Sequence, residues 1–221
     1  MIGVREQLAR IESACVSLRG SAYCTPAVVQ GCAAVARHET GFGTYKPFAK
    51  GGFASNNWGA QQCSVVAKEG RCPDGCFPAT DTSPTPQGTN IPYLACFIVN
   101  SSPEAGALSL VRLLTVQRPG IAAALSTGDA QKIAQAMRDA RYYEGFGKTQ
   151  AERVRNYAVA LDRNAKLNAT EAGVKNEILL PPVEEAEGIG TVEVASGATA
   201  AALLIAALIR RITKAGEGSG G

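Results

Sequence analysis

The sequence predicts an α+β fold that is mainly α: a helical domain, a small irregular or β lobe, and a hydrophobic helix near the C-terminus. Three observations support this prediction. Aromatic residues make up 6% of the 221-residue chain, so the core must consist mostly of Ala, Val, Leu and Ile, which suits closely packed helices. Several segments repeat apolar residues at helical spacing, whereas Gly, Pro and Cys are concentrated between residues 42 and 92.

Two helices are predicted at the start of the chain. The first covers residues 2 to 19, where apolar residues recur every three or four positions, and Gly20 ends it. The second begins with Thr25 as its cap and Pro26 at its first position, and it ends at Gly41. The following segment, residues 42 to 92, is predicted as loops with room for a short β-hairpin.

Three more helices are predicted from the residues at their starts. Ser102 is followed by a proline and an acidic first turn, which is a typical helix start. Another helix runs from Asp129 to Ala140, and Thr149 with Glu152 matches a capping box at the start of the last one. The predicted helical domain therefore covers residues 1 to 166.

The C-terminal part of the chain has a different composition. Residues 167 to 190 contain two prolines and an acidic run, which predicts an extended linker. Residues 191 to 221 are interpreted as a transmembrane helix with a short basic and Gly-rich tail, because 194 to 209 are uncharged and Arg210 and Arg211 follow. The uncharged run is shorter than a bilayer core requires, so an Ala-rich helix packed against a partner is the alternative.

Composition excludes several classes of function. A net charge of +3 with scattered basic residues argues against nucleic-acid binding. The chain has one histidine, His38, so a zinc site with two histidines cannot form within it. Charged residues within the first 19 positions argue against a secretory signal at the N-terminus.

The seven cysteines leave at least one thiol unpaired. Four of them lie in or just after the Gly/Pro-rich segment, at 63, 72, 76 and 96. Disulfides are the favoured interpretation of this group, with free thiols or a zinc site as alternatives, although the paired C-x2-C spacing typical of zinc sites is missing.

Glu39 is the first candidate catalytic residue, because it lies on the apolar side of the second predicted helix. A carboxylic acid held there loses solvation in its charged form, so its pKa should rise. A general acid that stays protonated near neutral pH needs this property. The alternative is a surface glutamate on a frayed last turn, or one paired with a structural partner such as an arginine.

Two motifs in this region resemble a known family. Glu39-Thr40-Gly41-Phe42-Gly43, followed by Asn56-Asn57-Trp58-Gly59, is similar to the motifs of lysozyme-like peptidoglycan glycosidases, specifically the N-acetylglucosaminidases of autolysins and of flagellar and phage cell-wall hydrolases. Gly59-Ala60-Gln61-Gln62 also resembles a motif of lytic transglycosylases. The resemblance covers residues 25 to 162. The chain departs from the family at residues 44 to 46, where a serine is usual, and in the cysteine-rich segment.

The resemblance implies a lysozyme-like domain that cleaves β-1,4 bonds of the peptidoglycan glycan strand, with Glu39 as general acid and with no metal or other cofactor. Five residues are expected to bind or orient substrate: Asn57, Trp58, Gln61, Tyr142 and Tyr143. A second catalytic carboxylate would come from the loop segment, where the acids are Glu69, Asp74 and Asp81. In a transglycosylase no second acid would be needed.

Two other functions are weighed against this one. A Cys-His peptidase could use His38 with Cys24, Cys63 or Cys96, although Cys24 and His38 lie at opposite ends of one predicted helix. The second alternative is a catalytically inactive, membrane-anchored protein that binds glycan or serves a structural role. The enzyme is expected to be attached to a membrane, in a virion or in the cell envelope. There it would open the cell wall locally, with virion or envelope-complex proteins as partners.

Overall fold

A computed structural model describes residues 3–45, 55–66, 72–84, 90–143, 145 and 147–181. Within these residues, six helices and three strands follow one another along the chain. They are α1 (Val4–Arg19), α2 (Pro26–Thr40), β1 (Gln62–Val66), β2 (Cys76–Pro84), β3 (Asn90–Ile98), α3 (Pro103–Thr115), α4 (Pro119–Leu125), α5 (Ala130–Asp139) and α6 (Gln150–Ala172).

The second helix has the start and the end that the sequence predicts. The hydroxyl of Thr25 accepts a hydrogen bond from the backbone N–H of Val28, and Pro26 occupies the first helical position. Gly41 ends the helix in the left-handed conformation, with φ of 57°, which glycine adopts without steric cost. This helix lies in the core, because Val28 and Val35 are 0% exposed.

The later helices also begin at the predicted residues. The side chains of Ser102, Asp129 and Thr149 cap α3, α5 and α6, and the capping box between Thr149 and Glu152 is complete. The sequence analysis did not predict α4, whose seven residues are too few to show a helical period. Its side chains Ile121 and Leu125 are fully buried in the helical core.

The segment that the sequence predicts as loops contributes to a three-stranded antiparallel sheet in the order β1, β3, β2. In its register, Phe77 lies opposite Phe97 and Asp81 lies opposite Tyr93. Side chains alternate between the two faces of a strand, so these pairs share one face. Ala79, Ala95 and Phe97 form a small buried cluster there.

Three disulfides join six of the seven cysteines: Cys15–Cys24, Cys63–Cys76 and Cys72–Cys96. The favoured interpretation of the cysteine-rich segment is confirmed, and the zinc alternative is wrong because all four sulfurs are paired. Cys32 is the remaining thiol. It is buried within the helical core, and this burial raises its pKa to about 12.

The structured region extends past the predicted boundary at residue 166. Helix α6 continues to Ala172, and the chain then returns to the core, where Ile178 is 0% exposed. The side chain of Gln30 holds this returning segment by donating to the carbonyl of Lys175 and accepting from the N–H of Glu177, both at 2.7 Å. The predicted linker therefore does not begin at 167.

The predicted transmembrane helix at 191 to 221 lies outside the described residues, as does the linker from 182 to 190. Among the helices that the structure describes, none combines the length and the apolar character that a bilayer crossing needs.

Candidate active site

The candidate general acid lies in the last turn of α2. Glu39 is partly buried there, one residue before Thr40 and two before the glycine that ends the helix. The hydroxyl of Tyr157, in the first half of α6, donates a hydrogen bond to Oε1 of Glu39. Because Tyr157 is only 5% exposed, α6 supplies a fixed donor to one oxygen of this carboxyl group.

The surroundings of Glu39 raise its pKa from the ordinary 4.5 to about 7. Burial is the largest cause, because it disfavours the charged carboxylate. The hydrogen bond from Tyr157 opposes this effect by stabilising the carboxylate, and the negative charge of Asp81 adds to the rise. Glu39 therefore carries a proton over much of the range below neutral pH, as the sequence analysis expected from its place on the apolar side of the helix.

Two aromatic rings fix the orientation of Tyr157. The ring of Tyr143 stacks on it at a centroid distance of 3.8 Å, and the His38 ring meets it edge-on at 4.8 Å. Burial and the nearby charge of Arg163 lower the pKa of His38. The histidine therefore acts as an uncharged packing group beside the tyrosine.

The alternative prediction of a Cys-His catalytic pair is wrong. Each cysteine considered for it, at positions 24, 63 and 96, is part of a disulfide and has no thiolate to offer. The remaining thiol, Cys32, is deprotonated only with difficulty because it is buried.

Residues 55 to 61 form a loop that runs beside the end of α2. Asn57 is fully buried, and its side-chain amide donates to the carbonyl of Gln61 and accepts from the N–H of Gln61, both at 2.8 Å. Asn57 therefore positions this loop and is not itself exposed to a substrate. The side chain of Asn56 is similarly bound to the main chain, donating to the carbonyl of Asn100 at 3.1 Å.

Trp58 does not provide a sugar-stacking surface, in contrast to the expectation from the sequence. It is 1% exposed and packs edge-on against Phe42, with the centroids 5.4 Å apart. Gly106 of α3 lies against it so closely that a Cβ there would be 2.9 Å from Trp58 Cδ1 and 2.2 Å from the carbonyl oxygen of Asn56. Trp58 therefore anchors the loop to the helical core.

Tyr142 and Tyr143 use their hydroxyls within the protein. Tyr142 donates to the carbonyl of Gly59 at 2.8 Å, and Tyr143 donates to that of Ala134 at 3.1 Å. Tyr142 thus ties the loop to the segment after α5, and Tyr143 stacks on Tyr157, the donor to Glu39. Gln61 accepts from Ser109 at 3.0 Å, and its Nε2 is buried with no hydrogen-bond partner among the described residues.

Asp81 is the acid of the sheet whose charge acts on Glu39. It is partly buried on β2, whereas Asp74 is exposed in the turn before that strand. Glu69 lies outside the described residues. Of the predicted second carboxylates that the structure describes, Asp81 is thus the one whose charge contributes to the raised pKa of Glu39.

Asp81 belongs to a hydrogen-bonded group that crosses all three strands. Its Oδ2 accepts from Nε2 of Gln62 on β1 and from the hydroxyl of Tyr93 on β3, the latter at 3.2 Å. Nε2 of Gln62 also lies 3.0 Å from the hydroxyl oxygen of Tyr93. We call Gln62, Asp81 and Tyr93 the sheet triad.

Comparison with known proteins places this arrangement in a structural context. A mutant of a peptidoglycan hydrolase from Sphingomonas sp. A1 superposes with a TM-score of 0.52 at 16% identity, covering 76% of this chain and 95% of the hydrolase chain. The chain has the fold of a peptidoglycan hydrolase. A truncated glycoside hydrolase domain of Salmonella typhimurium FlgJ is also similar, with a TM-score of 0.44, 24% identity, and coverage of 76% and 98%. No family model and no curated protein matches the sequence.

Among the groups around Glu39, the sequence analysis named Asp81 as a candidate, and it did not name Tyr157, Gln62 or Tyr93. Tyr157 lies on the buried side of α6. A tyrosine on a buried stripe still needs a partner for its hydroxyl, and that requirement was the available signal. Its partner is 118 residues away in the sequence, so spacing alone does not identify it.

Proposed function

We propose that the protein is a glycosidase that cleaves β-1,4 bonds of the peptidoglycan glycan strand, with Glu39 as general acid. The observation that carries this proposal is the state of the Glu39 carboxyl group: partly buried at the end of α2, bound by Tyr157, and with its pKa raised to about 7. The shared fold with the Sphingomonas hydrolase supports the substrate class.

The proposed reaction uses this proton directly. Cleavage of a glycosidic bond requires an acid that protonates the leaving oxygen while positive charge develops at the anomeric carbon. Glu39 supplies the proton, and Tyr157 holds the carboxyl group in one orientation as the proton leaves. Because only protonated Glu39 can act in this way, the rate should fall as the pH rises through about 7.

Asp81 is our candidate for the second catalytic group. Its negative charge contributes to the raised pKa of Glu39, and in the proposed reaction it would stabilise the positive charge that develops in the transition state or activate a water molecule. In a lytic transglycosylase an internal hydroxyl of the substrate would complete the reaction instead. The ends of the product distinguish the two reactions: reducing sugars for hydrolysis, and anhydro ends for transglycosylation.

The test is digestion of purified peptidoglycan by the full chain, with mass spectrometry of the soluble products. Replacing Glu39 by Gln should lower the rate by about 10³-fold, since general acid catalysis typically contributes 10²- to 10⁴-fold. Glu12→Gln, an exposed position on α1, is the matched control and should keep the wild-type rate. The identity of the reducing end, GlcNAc or MurNAc, would name the bond that is cut.

Two results would contradict the proposal. If Glu39→Gln releases products at the wild-type rate, another residue supplies the proton. If the folded wild-type chain binds peptidoglycan but releases no products, an inactive glycan-binding or structural protein is the better account.

We further propose that the chain acts in the cell envelope or in a virion, attached to a membrane by residues 191 to 221. The uncharged run at 194 to 209 followed by basic residues supports this. The full chain should float with phospholipid vesicles in a density gradient, and a chain ending at residue 190 should not. Equal recovery of both chains in the soluble fraction would refute the anchor.

A further inference from the structure

The sheet triad arises from the register of the sheet. On one face, the cross-strand pairs change from Phe77 with Phe97, through Ala79 with Ala95, to Asp81 with Tyr93. The first two pairs contribute to the small buried cluster of the sheet. The third pair is polar, and Asp81 is the member whose charge acts on Glu39.

The hydrogen bonds of the triad act on one oxygen of Asp81. Gln62 and Tyr93 lie on different strands, and both donate to Oδ2. The hydroxyl of Tyr93 also lies 3.0 Å from Nε2 of Gln62, so the amide can donate to the hydroxyl while the hydroxyl donates to the carboxylate. Two donors from two strands restrict the rotation of a side chain that is only partly buried.

We propose that Tyr93 and Gln62 are positioning residues that hold Asp81 at the angle needed for it to act on the glycosidic bond. The inference rests on the proposed function, and it adds the residues that orient its second carboxylate. Small displacements of a catalytic group lower the rate strongly, so a change in the orientation of Asp81 should lower kcat.

The protonation state of the Tyr93 hydroxyl agrees with its role as a hydrogen-bond donor. Burial raises its pKa, and the charge of Asp81 and the hydrogen bond to it raise it further, against a lowering by Gln62. Tyr93 therefore keeps its proton wherever a glycosidase of this kind would work. Phenylalanine at this position would keep the ring against the apolar cluster and remove only the hydroxyl.

The experiment is a double-mutant cycle on the full chain with purified peptidoglycan glycan strands. Tyr93→Phe should lower kcat about tenfold with little change in KM, and Gln62→Met should act in the same direction. Asp81→Asn should lower kcat further. In the Asp81→Asn background, Tyr93→Phe should have no additional effect, because the residue it positions is already inactive.

The controls separate this role from support of the fold. Tyr23→Phe removes a hydroxyl that donates to the carbonyl of Ala122 in the helical core, and Glu12→Gln removes an exposed acid of α1. Both should keep the wild-type kcat. A Tyr93→Phe effect that persists fully in the Asp81→Asn background would mean that Tyr93 only supports the sheet, and it would overturn the inference.

The failure of this inference differs from failure of the proposed function. If Glu39→Gln is inactive while Asp81→Asn and Tyr93→Phe keep wild-type kcat, the general acid stands and the role of the triad is refuted. If Glu39→Gln is as active as the wild type, the proposed function itself fails.

Discussion

The two regions that supply the candidate catalytic groups are stabilised in different ways. The helical region has an extensive core, in which Ile11, Leu110, Ile133 and Leu161 are at most 1% exposed. In the described part of the sheet region, the buried cluster consists of Ala79, Ala95 and Phe97. Burial of one large apolar side chain contributes about 1.5 to 3 kcal/mol, so the helical region is stable through packing and the sheet is not.

Disulfides compensate for the small core of the sheet region. Cys63–Cys76 joins β1 to β2, and Cys72–Cys96 joins the segment before β2 to β3. Each is expected to contribute about 3 kcal/mol by restricting the unfolded chain. Glu39 is therefore held by hydrophobic packing, and Asp81 is held by a sheet that depends on covalent cross-links.

The largest effect should follow from removing a cross-link of the sheet. In a Cys72→Ser/Cys96→Ser variant, we expect the sheet to lose its order and the rate of peptidoglycan cleavage to fall by about 100-fold or more, because Asp81 is no longer placed. Circular dichroism should still show the helices. Near-wild-type activity in this variant would refute the dependence of the sheet on its disulfides.

The matched control is a Cys15→Ser/Cys24→Ser variant, which removes the disulfide of the helical region. Here the packed core remains, so we expect a lower melting temperature but a nearly wild-type rate at 25 °C. Comparison of the two double variants tests directly whether the two regions differ in what stabilises them. Equal loss of activity in both would contradict the difference.

The next largest effect is the loss of folding stability caused by ionisation of Glu39 in the helical region. Its pKa is about 7 in the folded protein and 4.5 ordinarily, so the folded state favours the protonated form. The stabilisation from this proton is complete below about pH 4.5 and is lost as the pH rises through 7. At about 1.4 kcal/mol per pH unit between these values, ionised Glu39 destabilises the fold by about 3 kcal/mol.

Glu39→Gln should therefore be more stable than the wild type at pH 8, by up to about 3 kcal/mol, and equal to it at pH 4. Urea unfolding at the two pH values measures this difference. Glu12→Gln controls for loss of a surface charge. If the stability gain is the same at both pH values, ionisation of Glu39 is not its cause.

A smaller loss of stability should follow from separating the loop at 55 to 61 from the helical region. In Gly106→Ala, the new methyl group would lie 2.2 Å from the carbonyl oxygen of Asn56, and a backbone atom cannot move aside easily. We expect a loss of about 2 kcal/mol in the free energy of unfolding. In Gly120→Ala the new methyl group meets nothing within 4 Å, so that variant should be neutral or slightly more stable.

The same comparison explains which parts of the fold could be predicted from sequence. Helix starts such as Thr25 with Pro26, and Thr149 with Glu152, are local signals, and the structure confirms them. The sequence predicts a small β lobe with room for a hairpin, which the structure confirms, but not the bounds or the order of its strands, because glycines, prolines and cysteines interrupt any alternating pattern. Their pairing and their disulfides join residues that are distant in sequence, and a single sequence contains no record of such contacts.

The site divides in a similar way. Glu39 could be found because one helix alone places it on an apolar face just before Gly41. The roles of Trp58 and Tyr157 depend on which other elements pack against them. Trp58 was expected to face a sugar but is covered by α3, and Tyr157, which the sequence analysis did not name, binds the catalytic candidate.

The smallest expected effects are opposite changes in the pKa of Glu39, one from each region. Tyr157→Phe removes a hydrogen bond that stabilises the carboxylate, so the pKa should rise above that of the wild type. Asp81→Asn removes a nearby negative charge, so the pKa should fall, by less than Tyr157→Phe raises it. Titration of the ¹³C-labelled Glu39 carboxyl group by NMR measures both values independently of activity.

Burial is the largest cause of the raised pKa, so in both variants the value should stay above 4.5. Tyr143→Phe is the control for Tyr157→Phe, because its hydroxyl donates to the carbonyl of Ala134 and its ring remains stacked on Tyr157. A shift of the same sign in Tyr157→Phe and Asp81→Asn would mean that the two regions do not act on Glu39 as opposing neighbours. Opposite shifts would show that the proton on Glu39 is set jointly by a donor from the packed helices and a charge from the cross-linked sheet.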